Sequence, residues 1–265
     1  MALNWINVEE FSFNCLLLME KFHFAMLSDN FSNNIEWKEK MGIALSQNPT
    51  VKWYISYKCP EYTALLDEIT ANVPADIPAD VVRECELYIM SSIEDWVLYT
   101  RPEIMDASCD WIYAWNEERL YELADFRDKL VLDVGSGSGR LAFAAVKRAK
   151  FVISSEPVTT LREYLRDKIA RENITNMRVG DGMANDLPFL DDTFDIVMSG
   201  HVVGDDFDRE IAELTRVCKS GGWILDCPGE RCDRDETLIT LGWEEFAYES
   251  SLGGYAYRYR KQIIK

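Results

Sequence analysis

The chain is short of basic residues. It has 28 Lys and Arg against 46 Asp and Glu in 265 residues, a formal net charge of −18. A surface that binds a polyanion needs an excess of Lys and Arg, so a nucleic-acid partner is not expected. Histidine is scarcer still, at two residues. Cysteine is present seven times but never as Cys-x-x-Cys, and the count is odd. A disulfide framework is therefore not expected, and a reducing, cytoplasmic compartment fits best. Cys227 and Cys232 stand five apart across Pro228-Gly229 with no second close pair, so no metal site is expected. No long apolar run is present. The most apolar N-terminal stretch, 11–27, is interrupted by Glu20, Lys21 and His23, which excludes a membrane span. Glu9 and Glu10 stand where a secretory signal would carry basic residues.

What is there is an ordinary globular composition, 48% hydrophobic and 12% aromatic, in a chain long enough for one large core or a core plus a smaller unit. Charge is uneven: residues 1–125 hold 22 of the acids but 8 of the bases. The acidic half reads either as a solvated face or as a field favouring neutral and cationic ligands. Six of the eight Trp lie in residues 1–115: Trp5, Trp37, Trp53, Trp96, Trp111 and Trp115. Pro49, Pro60, Pro74, Pro78 and Pro102 cut this mainly helical region into short segments.

The pattern changes near Lys129. Apolar, β-branched runs at 130–134, 151–155, 176–180, 193–199 and 223–227 alternate with helical spacing. Leu141, Ala144 and Ala145 mark one helix. Leu161, Tyr164, Leu165, Lys168 and Ile169 mark a second, and Phe207, Ile211, Leu214 and Cys218 a third. Alternating strands and helices predict right-handed βαβ units and a parallel sheet. Residues 243–250 and 255–263 flank Gly253-Gly254 with no room for a helix, which predicts an antiparallel hairpin. The expected fold is α/β, a seven-stranded, mostly parallel, doubly wound sheet with an antiparallel C-terminal hairpin, preceded by a mainly helical region. Ligands of such sheets bind at the carboxyl ends of the strands near the topological switch point.

The first strand runs into VLDVGSGSG at 131–139, and Gly135, Gly137 and Gly139 separate it from a helix. Glycines there permit a tight turn and a close backbone approach to a ligand. The spacing is G-x-G-x-G, not the G-x-G-x-x-G of dinucleotide sites, and Asp133 would repel a pyrophosphate. A cationic ligand rich in hydroxyl and ammonium donors suits it better. This segment resembles motif I of the class I S-adenosylmethionine-dependent methyltransferases, of the small-molecule, ubiquinone-biosynthesis-like type. Glu156 lies 23 residues after Asp133, Asp181-Gly182 follows the third strand, and the runs 187–204 and 214–226 resemble the family's fourth-strand and fifth-strand segments. The resemblance covers 116–265 and leaves 1–115 as an aromatic-rich cover or substrate region.

The resemblance implies S-adenosylmethionine as cofactor. It places cofactor binding at Asp133, Gly135, Ser136, Gly137, Gly139, Glu156, Pro157, Asp181 and Gly182. Glu156 would bond the ribose hydroxyls, and Asp181 would face the adenine. Asp133 acts either on the ligand or through the loop backbone. Arg140 either meets a carboxylate or is a solvated residue at a helix start. His201, just past the fourth strand, is the candidate general base, with backbone hydrogen bonding as its other reading. Asp205 and Asp206 either orient it or cap the following helix. Tyr99, Trp111, Tyr113 and Trp115 are candidate lid aromatics. The run after the fourth strand lacks the N/D-P-P-Y/F motif of many nucleic-acid and protein-amide methyltransferases. The expected function is methyl transfer to a small-molecule acceptor, with O, N, C and S all open. The alternatives are a protein acceptor and a non-catalytic cofactor-binding partner subunit.

Overall fold

The computed structural model describes residues 7–25, 33–93, 101–109, 114–204, 206–230 and 233–265. The chain divides into two compact units, 1–101 and 102–265. The break falls before Pro102, so the helix that follows belongs to the second unit, whereas the sequence expectation put the break after Trp115.

The described part of the first unit is helical, with α1 at Lys21–Ala25, α2 at Ile35–Gln47, α3 at Pro49–Lys58, α4 at Thr63–Ala71 and α5 at Ala79–Ser92. The prolines act as punctuation. Pro49 stands at the first position of α3, where its missing N–H costs nothing, and Pro78 directly precedes α5. Asn34 caps α2 by accepting from the Trp37 N–H at 3.0 Å. Phe13, Leu16, Trp37, Met41, Ile55, Leu66 and Ile89 are buried, and the Trp37 indole donates to Ser92 Oγ at 2.7 Å, tying α2 to α5.

Gly42 lets α2 approach the backbone of α4, because a Cβ there would overlap the Ile69 carbonyl. Gly42→Ala gains ~1 kcal/mol of helix propensity. Overpacking costs about 1–3 kcal/mol and falls on backbone that cannot swing away. The expected net result is a loss of stability, read as a lower midpoint in urea unfolding. An unchanged or higher midpoint would show that the two helices can separate without cost.

The second unit is built on one seven-stranded sheet. The strands are β1 Leu130–Val134, β2 Phe151–Ser155, β3 Met177–Gly180, β4 Phe194–Ser199, β5 Cys218–Asp226, β6 Glu244–Glu249 and β7 Tyr255–Gln262. The order is β3-β2-β1-β4-β5-β7-β6, with β1 to β5 parallel and β7 antiparallel to both β5 and β6. This is the expected topology, and β6–β7 is the expected hairpin, turned at Gly253 and Gly254 with φ of 90° and 76°. Helices α6 Pro102–Ser108, α7 Glu118–Leu123, α8 Arg140–Ala145, α9 Thr159–Arg171, α10 Phe207–Val217 and α11 Glu236–Thr240 complete the unit. Two apolar clusters pack on the sheet. One holds Leu120, Phe126, Val131, Ala142, Met198 and Leu225, and the other Leu132, Val134, Val197, Leu214, Ile224 and Tyr259.

One element departs from expectation. Cys218 opens β5 instead of closing α10, and the helix buries Glu210, Leu214 and Val217 while Phe207 and Ile211 are only partly buried. The β4–β5 register jumps from Phe194↔Cys218 to Ile196↔Trp223. The residues between turn at Gly221, with φ of 82°, and at Gly222, whose missing Cβ avoids the Asp195 carbonyl. Two consecutive glycines allow this detour, so the chain leaves the helix earlier than hydrophobic periodicity suggests.

Candidate cofactor and acceptor site

Register brings the carboxyl ends of four strands level. Val134 pairs with Ser155 and with Ser199, and Ser199 pairs with Asp226. The order reverses between β1 and β4, so the loop after β1 sits at the switch point. Gly135, Gly137 and Gly139 have φ of 61°, 56° and 95°. This left-handed backbone strains any side-chain-bearing residue, which accounts for the glycines. The Gly135 and Ser136 N–H groups donate to the Ser155 carbonyl at 2.8 and 3.2 Å. The Ser136 hydroxyl donates to the Asp133 carbonyl at 3.0 Å. The loop is therefore braced from below. Above Gly137 an added Cβ would meet nothing nearer than the Met105 sulfur at 3.6 Å.

Glu156, directly after β2, is buried at 3% exposure. Its Oε2 accepts from the Gly137 N–H at 2.8 Å and its Oε1 from the Val158 N–H at 2.9 Å. Burial pushes its carboxyl up to about 7, against the lowering pull of those two N–H groups and Arg162. Pro157 is half-buried at the bend that follows. Asp181 is exposed and ion-paired with Arg162 at 3.0 Å, while the same Arg162 nitrogen donates to the Glu156 carbonyl at 2.7 Å. One guanidinium thus holds the β2 and β3 ends together. Gly182 presents its carbonyl to the Ser155 hydroxyl at 3.3 Å. Gly137, Glu156, Asp181 and Gly182 are thereby brought to adjoining strand ends.

Asp133 is placed differently. At 1% exposure, its Oδ2 accepts from the Ala142 N–H at 3.1 Å, in the first turn of α8. A carboxylate there complements the positive end of the helix. Burial raises its pKa to about 7. Of its two readings, action through the loop and helix backbone is the one the geometry carries.

His201 follows β4 with a left-handed φ of 61°. Its Nε2 accepts from the Gly229 N–H at 2.7 Å, which ties the loop after β4 to the loop after β5. Much of the residue is open to solvent. Even so, desolvation of the ring, and then the charges of Arg140 and Arg258, push its pKa down to about 4. The imidazole is therefore neutral at physiological pH, with an acceptor nitrogen already engaged. Glu210 anchors the same loop, accepting from the Gly204 N–H at 2.8 Å and the Asp206 N–H at 3.3 Å. Asp206 directly precedes α10 but makes no side-chain cap. Asp205, Tyr99, Trp111, Tyr113 and Cys232 lie outside the described residues. Cys227 is buried, and burial pushes its thiol up to about 12.

Sequence reasoning missed two members of this edge and left a third open between two readings. Asp226 ends β5, accepts from the Ser199 hydroxyl at 3.0 Å, and is raised by burial to about 6. Arg258 on β7 is 1% exposed and donates to Glu230 at 2.7 Å. Nothing local marks either, because both lie on strands read for their apolar pattern. Arg140 was noticed but is not a solvated helix start. Its Nη2 donates to the Cys227 carbonyl, and the Trp115 ring lies 5.0 Å from the guanidinium.

The Glu156 pKa near 7 gives a pH test. A ligand whose hydroxyls donate to Glu156 prefers the carboxylate, so affinity is full above pH 7 and falls as pH drops through it. From pH 8 to pH 6 affinity for S-adenosylhomocysteine is expected to fall about tenfold. Calorimetry at pH 6 in buffers of different ionisation enthalpy should show proton release. A flat profile would mean that Glu156 does not titrate with binding.

Comparison with known proteins agrees with this geometry. Residues 132–225 match the family described as "Methyltransferase domain". A demethylmenaquinone methyltransferase from Thermobifida fusca is 30% identical over 134 residues, covering 49% of this chain and 56% of that protein. The uncharacterized methyltransferase YcgJ of Bacillus subtilis is 30% identical over 97 residues, 36% of this chain and 38% of that protein. The chain thus matches about half or less of the length of these curated relatives. In fold, the structure of an S-adenosylmethionine-dependent methyltransferase from Aquifex aeolicus matches with a TM-score of 0.52 at 18% identity, covering 63% of this chain and 98% of that one. Residues 132–225, which hold the β1–glycine loop–α8 unit and the acid after β2, are thus similar to a methyltransferase domain.

Proposed function

We propose that this chain transfers the methyl group of S-adenosylmethionine to a small-molecule acceptor. The observation that carries the reading is Glu156, a buried carboxylate at the end of β2 with both oxygens aimed at N–H groups beside an open glycine cradle. A buried charge is costly unless it meets donors, and ribose hydroxyls are donors of the right kind. Glu156 would hold the ribose and Asp181-Gly182 the adenine edge, while Asp133 and Ser136 keep the loop rigid. When bound, the cofactor supplies an electrophilic methyl carbon on a sulfonium.

The chain's own contribution is positioning and exclusion of water. Val202 stands over Gly135, where an added Cβ would strike it at 2.5 Å, and so walls the loop from the β4 side. His201 acts in this proposal by fixing the loop after β4. Taking a proton at Nε2 would require giving up the Gly229 N–H. A small acceptor is favoured by the excess of acid over base, which disfavours nucleic acid, and by the similarity to a protein named for demethylmenaquinone methylation.

The test is calorimetric titration with S-adenosylmethionine and S-adenosylhomocysteine, followed by a labelled-methyl assay over a panel of small acceptors. Micromolar binding of both ligands and transfer to at least one acceptor are expected. Absence of binding would overturn the reading. Binding with labelling of basic peptides alone would move the acceptor to protein.

A further inference from the structure

The carboxyl edge of β4 and β5 holds two guanidinium groups that the cofactor reading leaves unused. Arg140 leaves the first turn of α8 and reaches across the end of β4 to the Cys227 carbonyl. Its path is built into the backbone. An added Cβ at Gly200 would meet Arg140 Nη2 at 2.6 Å and the Cys227 carbonyl oxygen at 2.5 Å, so only glycine leaves room for the guanidinium there. Arg140 Nη1 is buried with no hydrogen-bond partner among the described residues, and neither has Arg258 Nε. A buried N–H donor without an acceptor is costly, so two at one edge call for an acceptor.

The nearby carboxylates do not supply it. Asp133 accepts from Ala142, Asp226 from Ser199, and Glu230 from Arg258 Nη2. The charges that act on His201, in the loop beside this edge, are those of Arg140 and Arg258, and both disfavour its protonation. Arg140 and Arg258 thus share this edge with Asp133, Asp226 and Glu230, and each still keeps one N–H without an acceptor among the described residues.

We propose that Arg140, with the Trp115 ring beside it and Arg258 behind, forms an oxyanion subsite that binds a carboxylate or phenolate oxygen of the methyl acceptor. This rests on the methyltransferase reading and narrows it, since the acceptor is then an anionic small molecule. Arg140 is a specificity residue here. It spans from the helix that opens at the glycine loop to the β5 loop, and so couples cofactor side to acceptor side. The guanidinium offers paired N–H donors to an oxyanion and a flat face to an aromatic ring.

The test uses simple probes on the whole chain at fixed ionic strength, with and without S-adenosylhomocysteine. Benzoate is compared with benzamide, and 4-nitrophenolate with nitrobenzene, by competition calorimetry or saturation-transfer NMR. At least one anion should bind tenfold or more tightly than its neutral counterpart, and which pair shows the gap separates carboxylate from phenolate. Arg140→Gln should abolish the gap, whereas Arg140→Lys should retain part of it. If Arg140→Gln does not fold, the Lys variant and the wild-type probe pairs still decide. Equal binding of anion and neutral probe by the wild type overturns the subsite. So does a Gln variant that weakens S-adenosylhomocysteine but not methylthioadenosine, because Arg140 would then serve the cofactor's own carboxylate. Failure of S-adenosylhomocysteine to bind while the anion gap persists overturns the function and leaves the subsite standing.

Discussion

Glu156→Gln is expected to lower affinity for S-adenosylmethionine and S-adenosylhomocysteine about 100-fold, with the chain still folded. The substitution preserves volume but replaces one acceptor oxygen by an amide that can only donate. Glu156 faces the Gly137 N–H at 2.8 Å and the Val158 N–H at 2.9 Å, so the amide nitrogen must oppose one of them. A hydrogen bond to a charged group contributes about 1.5–3 kcal/mol, and ~2.7 kcal/mol corresponds to a factor of 100. Removal of the charge also removes attraction for the sulfonium. The measurement is calorimetry of both ligands, with circular dichroism to confirm folding. A variant that binds within threefold of wild type would show that Glu156 serves only to hold the glycine loop. The pH profile supplies an internal control, because the fall below pH 7 should vanish in the Gln variant.

Arg258→Met should have the largest effect on stability, a loss of about 3–5 kcal/mol. Arg258 is 1% exposed and its Nη2 donates to Glu230, itself 6% exposed, at 2.7 Å, while Nη1 donates to the Tyr257 carbonyl at 2.6 Å. Removing the cation leaves a carboxylate buried without a counter-charge, and that desolvation cost exceeds anything methionine packing returns. The double variant Arg258→Met, Glu230→Leu should recover most of the loss, since a buried ion pair is worth little more than apolar side chains of similar volume. Urea unfolding of the two single variants and the double variant gives the coupling directly. A loss below 1 kcal/mol in Arg258→Met would show that water reaches the pair.

The same pair shows where sequence reasoning stops. Arg258 lies on an alternating strand and Glu230 in a loop 28 residues earlier, and nothing near either residue announces the other. The glycine loop was legible because its cause is local. A strand, three residues forced to positive φ and a helix are all written within 130–145. Glu156 was singled out by the resemblance to the family's acid after the second strand, and the parallel register that sets Val134 beside Ser155 brings it next to the loop. The seven strands followed from period-two and apolar runs, and the hairpin from Gly253-Gly254.

The α10–β5 boundary was missed because hydrophobic periodicity cannot see a register jump that two glycines permit. For Asp133 and His201 the sequence left two readings each, and the structure shows backbone partners for both. Asp133 turned to the Ala142 N–H, and His201 spent its acceptor on Gly229. Helix α6 joins the C-terminal unit through Asp106, which accepts from Tyr164 at 2.6 Å and Lys168 at 3.1 Å on α9, a contact set by packing and not by spacing. By itself the sequence determined the sheet, its switch point and the glycine loop, because backbone conformation and hydrophobic period are properties of neighbouring residues, while the acid beside the loop was picked out by family resemblance. Only the tertiary structure decided which buried charges meet and which donors are left without an acceptor. Those choices depend on desolvation and on distances between residues far apart in the chain, and no local pattern encodes them.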